Sequence, residues 1–189
     1  MNTHFDNSSG NVRGDTMFDS SEVIMGLRWD IEEQRSRSPG EHADLDAFCV
    51  LFDAQSQLVE LVHPGRTRNA NGSVVHTGDS TTGAKTWDDE RIFVFLNALP
   101  PEIAALAFVV VSASGRAFEQ IPGASCHMSD RVTEREYLRV DLSRHGLSSA
   151  QCIATLQRCG EGWRMLGRAQ SGQVALAAES LSLSASEKQ

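Results

Sequence analysis

Between Gly72 and Glu90 the chain reads G-S-V-V-H-T-G-D-S-T-T-G-A-K-T-W-D-D-E. This run offers the carboxylates of Asp79, Asp88, Asp89 and Glu90, with the hydroxyls of Ser80, Thr81 and Thr82 between them. A second acidic pair, Asp44-Leu45-Asp46, heads an apolar run upstream. Such oxygen-rich loops suit hard cations, because Ca²⁺ takes six to eight oxygens from carboxylates, backbone carbonyls and water. The spacing is not that of an EF-hand loop, so a calcium site here is of another type. Residues two apart at a strand start point to one face, which sets Asp44 and Asp46 side by side. Carboxylates pressed together raise each other's pKa unless a cation neutralises them.

Each acidic group also has a plainer reading. Asp79 follows a glycine and can cap a turn, Asp88, Asp89 and Glu90 can be solvated, and one of the Asp44/Asp46 pair can close a loop. His76 adjoins oxygen ligands, whereas histidine prefers softer ions such as zinc; it is expected to pack or to orient the loop. D-x-D and D-D-E can also hold Mg²⁺ or Mn²⁺ for phosphoryl transfer. The chain has no P-loop, no G-x-S-x-G and no Ser-His-Asp or Cys-His arrangement in a recognisable context, so catalysis is not expected.

The formal net charge is −8 and the pI near 5.2. Phosphate backbones need a basic surface, so nucleic acid is not an expected partner, whereas a cation or a basic protein face is. The longest apolar run, Ile103 to Val111, is far shorter than the ~20 residues of a membrane span, and no integral membrane segment is expected. The stretch Met1 to Asn7 lacks the charged and apolar regions of a signal peptide, so a cytoplasmic location is expected. Cys49, Cys126, Cys152 and Cys159 form no C-x-x-C pair and are expected to be free thiols acting as small hydrophobes.

The positioning elements read as strands separated by polar turns. Strands are expected at Glu22 to Trp29, Ala43 to Asp53, Leu58 to Val62, Arg91 to Leu96, Ala107 to Val111, Ala124 to Met128 and Glu136 to Asp141. A hairpin pairs Gln151 to Arg158 with Gly162 to Arg168 across Cys159-Gly-Glu-Gly. In the second of these, Phe48, Val50 and Phe52 line one face and Cys49 and Leu51 the other. Ile31 to His42 carries Ser-Pro-Gly and reads as a loop; Pro101 suits the first turn of a short helix. The expected fold is all-β, a two-sheet β-sandwich with short helices. Its organisation is a flexible or irregular tail at 1–20, the sandwich at 21–172, and a tail at 173–189 rich in Ala, Leu and Ser that suits a short C-terminal helix. Trp29 and Trp163 are expected in the core, and Trp87, in a polar loop, is a candidate partner contact.

Several of these stretches together resemble the TerD family of tellurium-resistance and stress-response proteins. They are Met25-Gly-Leu-Arg-Trp-Asp30 (family pattern G-L-G-W-D), Ala43-Asp-Leu-Asp-Ala47 (D-L-D-A) and Asn71-Gly-Ser-Val-Val-His-Thr-Gly-Asp79 (D-G-S-V-x-H-T-G-D). Thr82-Gly83 and Asp88-Asp-Glu90 match the T-G and D-D-E that close the same loop; Tyr137 to Leu142 resembles R-Y-D-L, and Gly162-Trp163 the G-E-W hairpin. The resemblance runs from about Val23 to Gly172. It implies a two-sheet sandwich that binds Ca²⁺ through the D-L-D and G-D…D-D-E loops, with Asp44, Asp46, Asp79, Thr82, Gly83, Asp88, Asp89 and Glu90 as the matching positions. It further implies a non-enzymatic role in the response to tellurite and other chemical stress, in complexes with related family proteins near the inner membrane.

Two departures fall in the same loop and two lie elsewhere. Ser80 stands where the family has Asn, and Ala84-Lys-Thr-Trp87 replaces a glycine- and acid-rich middle. Gly65-Arg66 stands for a paired-Asn segment, and Ser112-Ala-Ser114 for I-H-D. Lys85 adds a positive charge where glycine allows tight wrapping around an ion. At least one of the two implied calcium sites is therefore expected to be weak or absent, and the alternative role is a metal-independent interaction scaffold.

Overall fold

In the computed structural model the stretch Leu45–Phe52, apolar except for Asp46, is a strand buried on both faces, and the two faces serve different layers. Leu45, Ala47, Cys49 and Leu51 point into a core between two sheets, while Phe48, Val50 and Phe52 point away, under a helix. This is why the strand reads as a continuous apolar run rather than an alternating one. The structure describes residues 16–18, 20–31, 42–160, 162–166 and 168–186. The loop expected at Ile31 to His42 therefore lies almost wholly outside the described residues, as does most of the 1–20 segment.

In chain order the strands are β1 Thr16–Phe18, β2 Glu22–Arg28, β3 Leu45–Phe52, β4 Leu58–Val62, β5 Val74–His76 and β6 Glu90–Phe95. They continue with β7 Ala105–Ser112, β8 Ser125–Asp130, β9 Glu136–Asp141, β10 Ala150–Cys159 and β11 Gly162–Leu166, followed by helix α1 Arg168–Ser186. The six-stranded sheet runs β1-β11-β10-β7-β3-β4, and the five-stranded sheet β5-β6-β2-β8-β9. Every pairing is antiparallel. The fold is a two-sheet β-sandwich, as expected, with α1 as a third layer over the outer face of the six-stranded sheet.

Between the sheets Val23, Met25 and Leu27 of β2, Ile92 and Val94 of β6 and Cys126 and Met128 of β8 meet Phe108, Val110 and Leu156 of the facing sheet. Trp29 and Trp163 join this core, and the Arg158 guanidinium lies over the Trp163 ring at 4.6 Å. Cys49, Cys126 and Cys152 are buried, Cys159 is partly exposed, and all four are free. Burial pushes the Cys49 and Cys126 thiols up, which keeps them protonated.

Three sequence readings need correction. Val74–His76 is a strand paired with β6, not part of the loop, because its two valines fill the edge of the five-stranded sheet. Pro101 starts no helix; the short 3₁₀ turn is Leu96–Ala98, ahead of the prolines, and Ile103 N–H closes a turn on the Pro100 carbonyl. The C-terminal helix begins at Arg168 rather than 173, with Gly172 at φ 27°, ψ −103° breaking its regularity. Replacing Phe108, fully buried between the sheets, by Ala should cost about 3–5 kcal/mol, seen as a lower denaturation midpoint at unchanged slope in equilibrium unfolding.

Candidate functional site

The acidic residues separate into three environments. Asp44, just before β3, and Asp46, within it, lie on the face shared with Phe48, and the loop after β5 brings Asp79 to them. One carboxylate oxygen from each lies within 4.8 Å of the other two. Asp46 is only 3% exposed, and the Ser186 hydroxyl at the end of α1 donates to its Oδ2 over 3.4 Å. Asp44 Oδ1 is buried without a hydrogen-bond partner, whereas Asp79 is exposed to solvent. Burial, then the charges of Asp79 and Glu90, pushes the Asp44 carboxyl up to about 6. Burial, then Glu90, Asp44 and Asp79, pushes Asp46 up to about 7, with the Ser186 hydroxyl opposing.

Glu90 and Asp89 are fully buried and bonded to backbone amides. The Ala47 N–H of β3 donates to Glu90 Oε2 over 2.8 Å, and the Ser80 N–H donates to Oε1 over 3.1 Å. The Gly78 N–H donates to His76 Nδ1 over 2.9 Å, which leaves the proton of a neutral ring on Nε2. That atom faces Glu90 Oε2 at 3.2 Å, without good hydrogen-bond alignment. The Trp29 N–H donates to Asp89 Oδ2 and the Lys85 N–H to Oδ1, each over 3.1 Å. The Lys85 ammonium also donates to the Asp89 carbonyl.

Asp88 forms the third environment. Arg91 Nε donates to its Oδ2 over 2.7 Å, and His127 Nε2 lies 3.2 Å from its Oδ1. Burial opposes its ionisation, but the hydrogen bonds from His127 and Arg91 and the charges of both prevail and hold it below the usual carboxylate range.

The structure thus brings Asp44, Asp46 and Asp79 together and sets Asp88 and Asp89 apart from them, while Glu90 anchors the loop through backbone amides close enough for its charge to act on Asp44 and Asp46. Thr82 is exposed, and Gly83 is buried against the Trp29 indole. At φ +62°, with Trp29 side-chain atoms 2.6 Å from where a Cβ would stand, position 83 admits only glycine without rearrangement. Trp87 is 75% exposed. Sequence reasoning missed two contributors. Ser186 gave no signal, because nothing in a C-terminal Ala/Leu/Ser stretch ties it to β3. Lys85 was read as a disturbance of the loop, yet its backbone and side chain both bind Asp89.

A two-sheet sandwich whose acidic loop is fastened across the sheet seam by buried carboxylates defines a distinct class of β domain. The profile of the TerD domain matches residues 15–179, and this chain belongs to the TerD family. The tellurium resistance protein TerZ of Serratia marcescens is 33% identical over 161 residues, covering 82% of this chain and 83% of the relative. General stress protein 16U of Bacillus subtilis is 31% identical over 152 residues, covering 76% and 77%. The crystal structure of a homologue of the telluride resistance protein TerD from Streptomyces coelicolor A3(2) superposes with a TM-score of 0.68 at 20% identity, covering 78% of this chain and 88% of that one.

Two predictions follow from the geometry. Glu90→Ala leaves the amides of Ala47 and Ser80 buried without acceptors, so it should cost about 2–5 kcal/mol in equilibrium unfolding. The folded-state pKa values of Asp44 and Asp46 lie above the ordinary value of 3.8, so the metal-free native state binds more protons than the unfolded chain between about pH 4 and 7. Their contribution to stability is therefore present below about pH 4 and lost as the pH rises through about 6–7. In chelator at pH 8, Asp46→Asn should melt at a higher temperature than the parent, and the difference should shrink towards pH 5.

Proposed function

We propose that this protein is a non-enzymatic calcium-binding module of the tellurite and chemical stress response. It acts in the cytoplasm as part of a larger assembly with related family proteins at the inner membrane. The observation that carries the reading is the Asp44–Asp46–Asp79 cluster, with one oxygen buried and unpartnered and the Asp44 and Asp46 carboxyls pushed up by burial and by neighbouring negative charge. An all-oxygen donor set with one solvent-facing member suits Ca²⁺, which accepts carboxylates and water in flexible geometry, better than zinc. Asp44, Asp46 and Asp79 would hold the ion. A bound divalent cation supplies positive charge, relieves the repulsion and fastens the loop after β5 to β3.

The reading is of one site rather than two. Asp88 is matched by Arg91 and His127, and Asp89 by the Lys85 and Trp29 amides with the Lys85 ammonium on its carbonyl. The D-D-E half of the loop thus has internal partners in place of an ion. The names of the relatives, tellurium resistance proteins and a general stress protein, support the stress-response role. No helix among the described residues is long and apolar enough to cross a membrane, which fits peripheral rather than helical attachment. The exposed Trp87 ring, beside the anchored D-D-E segment, favours a second reading as a partner-binding scaffold independent of metal.

A thermal melt of chelator-treated protein separates the two. Binding to the native state alone stabilises by about 2.7 kcal/mol at one hundred times Kd, a rise of roughly 5–10 °C for a chain of this size. Ca²⁺ should give such a rise where equimolar Mg²⁺ gives little; Asp44→Ala and Asp79→Ala should abolish it, and Asp88→Ala should keep it. A flat response to millimolar Ca²⁺ would leave the scaffold.

A further inference from the structure

Helix α1 ends on the acidic cluster. Ser186, its last residue, donates to Asp46, so the final turn lies beside the carboxylates. The last carbonyls of a helix lack intrahelical donors and carry roughly half a negative charge. Without a cation, α1 therefore presents its negative end to three carboxylates, and Glu90 adds to the charge felt by Asp44 and Asp46.

The rest of α1 is lightly held. Its packing on β3, β7 and β10 comes from Val174, Ala175, Ala177, Ala178, Leu181 and Ala185, mostly small side chains that bury little area each. Ser182 is fully buried with its hydroxyl unpartnered, a cost that docking must bear. A firm polar tie among the described residues is Glu179 Oε1, which accepts the Cys152 N–H over 2.7 Å, about two turns from Ser186. Gly172, at φ 27° and ψ −103°, already interrupts the helix and separates 173–186 from the residues that follow β11.

We propose that α1 is a cation-coupled latch: an ion on Asp44, Asp46 and Asp79 reverses the field at the helix end, so metal binding and docking of residues 173–186 stabilise one another. The latch rests on the calcium reading and adds its regulatory consequence. Release of α1 would uncover Phe48, Val50, Phe52, Val109 and Val111, an apolar sheet face that the docked helix keeps from solvent. Coupling of this kind is reciprocal, so loosening the helix must weaken the ion by the factor with which the ion tightens the helix.

Hydrogen exchange by mass spectrometry on the full chain tests this, with CaCl₂ or chelator as the only variable. Exchange across 173–186 should slow at least tenfold with Ca²⁺, through local opening that leaves β7 amides protected throughout. Asp44→Ala should remove the effect. Glu179→Ala, which loosens α1 away from the carboxylates, should weaken Ca²⁺ binding several-fold by calorimetry; Ser186→Ala should do so more mildly and serves if the first variant does not fold. A Ca²⁺-dependent melting rise with unchanged exchange at 173–186, or unchanged affinity in these variants, would overturn the latch and leave the calcium module standing. No melting response to Ca²⁺ in the parent chain would overturn both.

Discussion

The structure depends on one interaction type: a buried carboxylate accepting backbone amides from elements that would otherwise have no reason to meet. Glu90 opens β6 of the five-stranded sheet, yet it accepts the Ala47 amide from β3 of the six-stranded sheet and the Ser80 amide from the loop after β5. Asp89 accepts the Trp29 amide just beyond β2 and the Lys85 amide within the same loop. A charged group out of water is tolerated only when such donors replace its hydration. Each therefore fixes the backbone around it, because any displacement leaves both the charge and the amides unpaired. Asp79 reaches β3 because the residue after it is held by Glu90.

This divides labour among residues that look alike in the sequence. Asp44, Asp46, Asp79, Asp88, Asp89 and Glu90 are all acids at loop–strand junctions, and what separates them is the source of compensation. Backbone amides serve Asp89 and Glu90, and the side chains of Arg91 and His127 serve Asp88. The first group has mainly a weak bond from one serine hydroxyl. Physical chemistry then assigns three of them a pH behaviour without reference to function: Asp88 is held low by its partners, and Asp44 and Asp46 are held high by burial and the carboxylates around them.

The strands were legible because side-chain alternation is a local property. β3 disclosed even its two faces, since Phe48, Val50 and Phe52 differ in bulk from Ala47, Cys49 and Leu51 and serve different cores. β5 was not legible: a valine pair flanked by Ser73 and His76 is too short for a periodic signal, and its status as a strand comes from β6 beside it. The pairing of Asp44 and Asp46 was readable from spacing. The diversion of Asp88, Asp89 and Glu90 was not, since it depends on which amides lie across the seam, and the partners of Glu90 range up to forty-three positions away. The family motif marked these residues without saying which of them face an ion and which hold the backbone.

Lys85 shows how the same scaffold reaches electrostatic balance by a different route. Its backbone amide bonds the Asp89 carboxylate while its ammonium folds back onto the Asp89 carbonyl, so one residue supplies both a neutral donor and a positive charge. That bond is internal to the chain, so this part of the loop draws its positive charge from Lys85 rather than from an ion in solution. Beside Asp44, Asp46 and Asp79 the carboxylates instead face one another, and on the calcium reading proposed above order there depends on what arrives from solution. A permanent cation at one end of the loop and an unbalanced cluster at the other confine any ionic response to the end that touches α1.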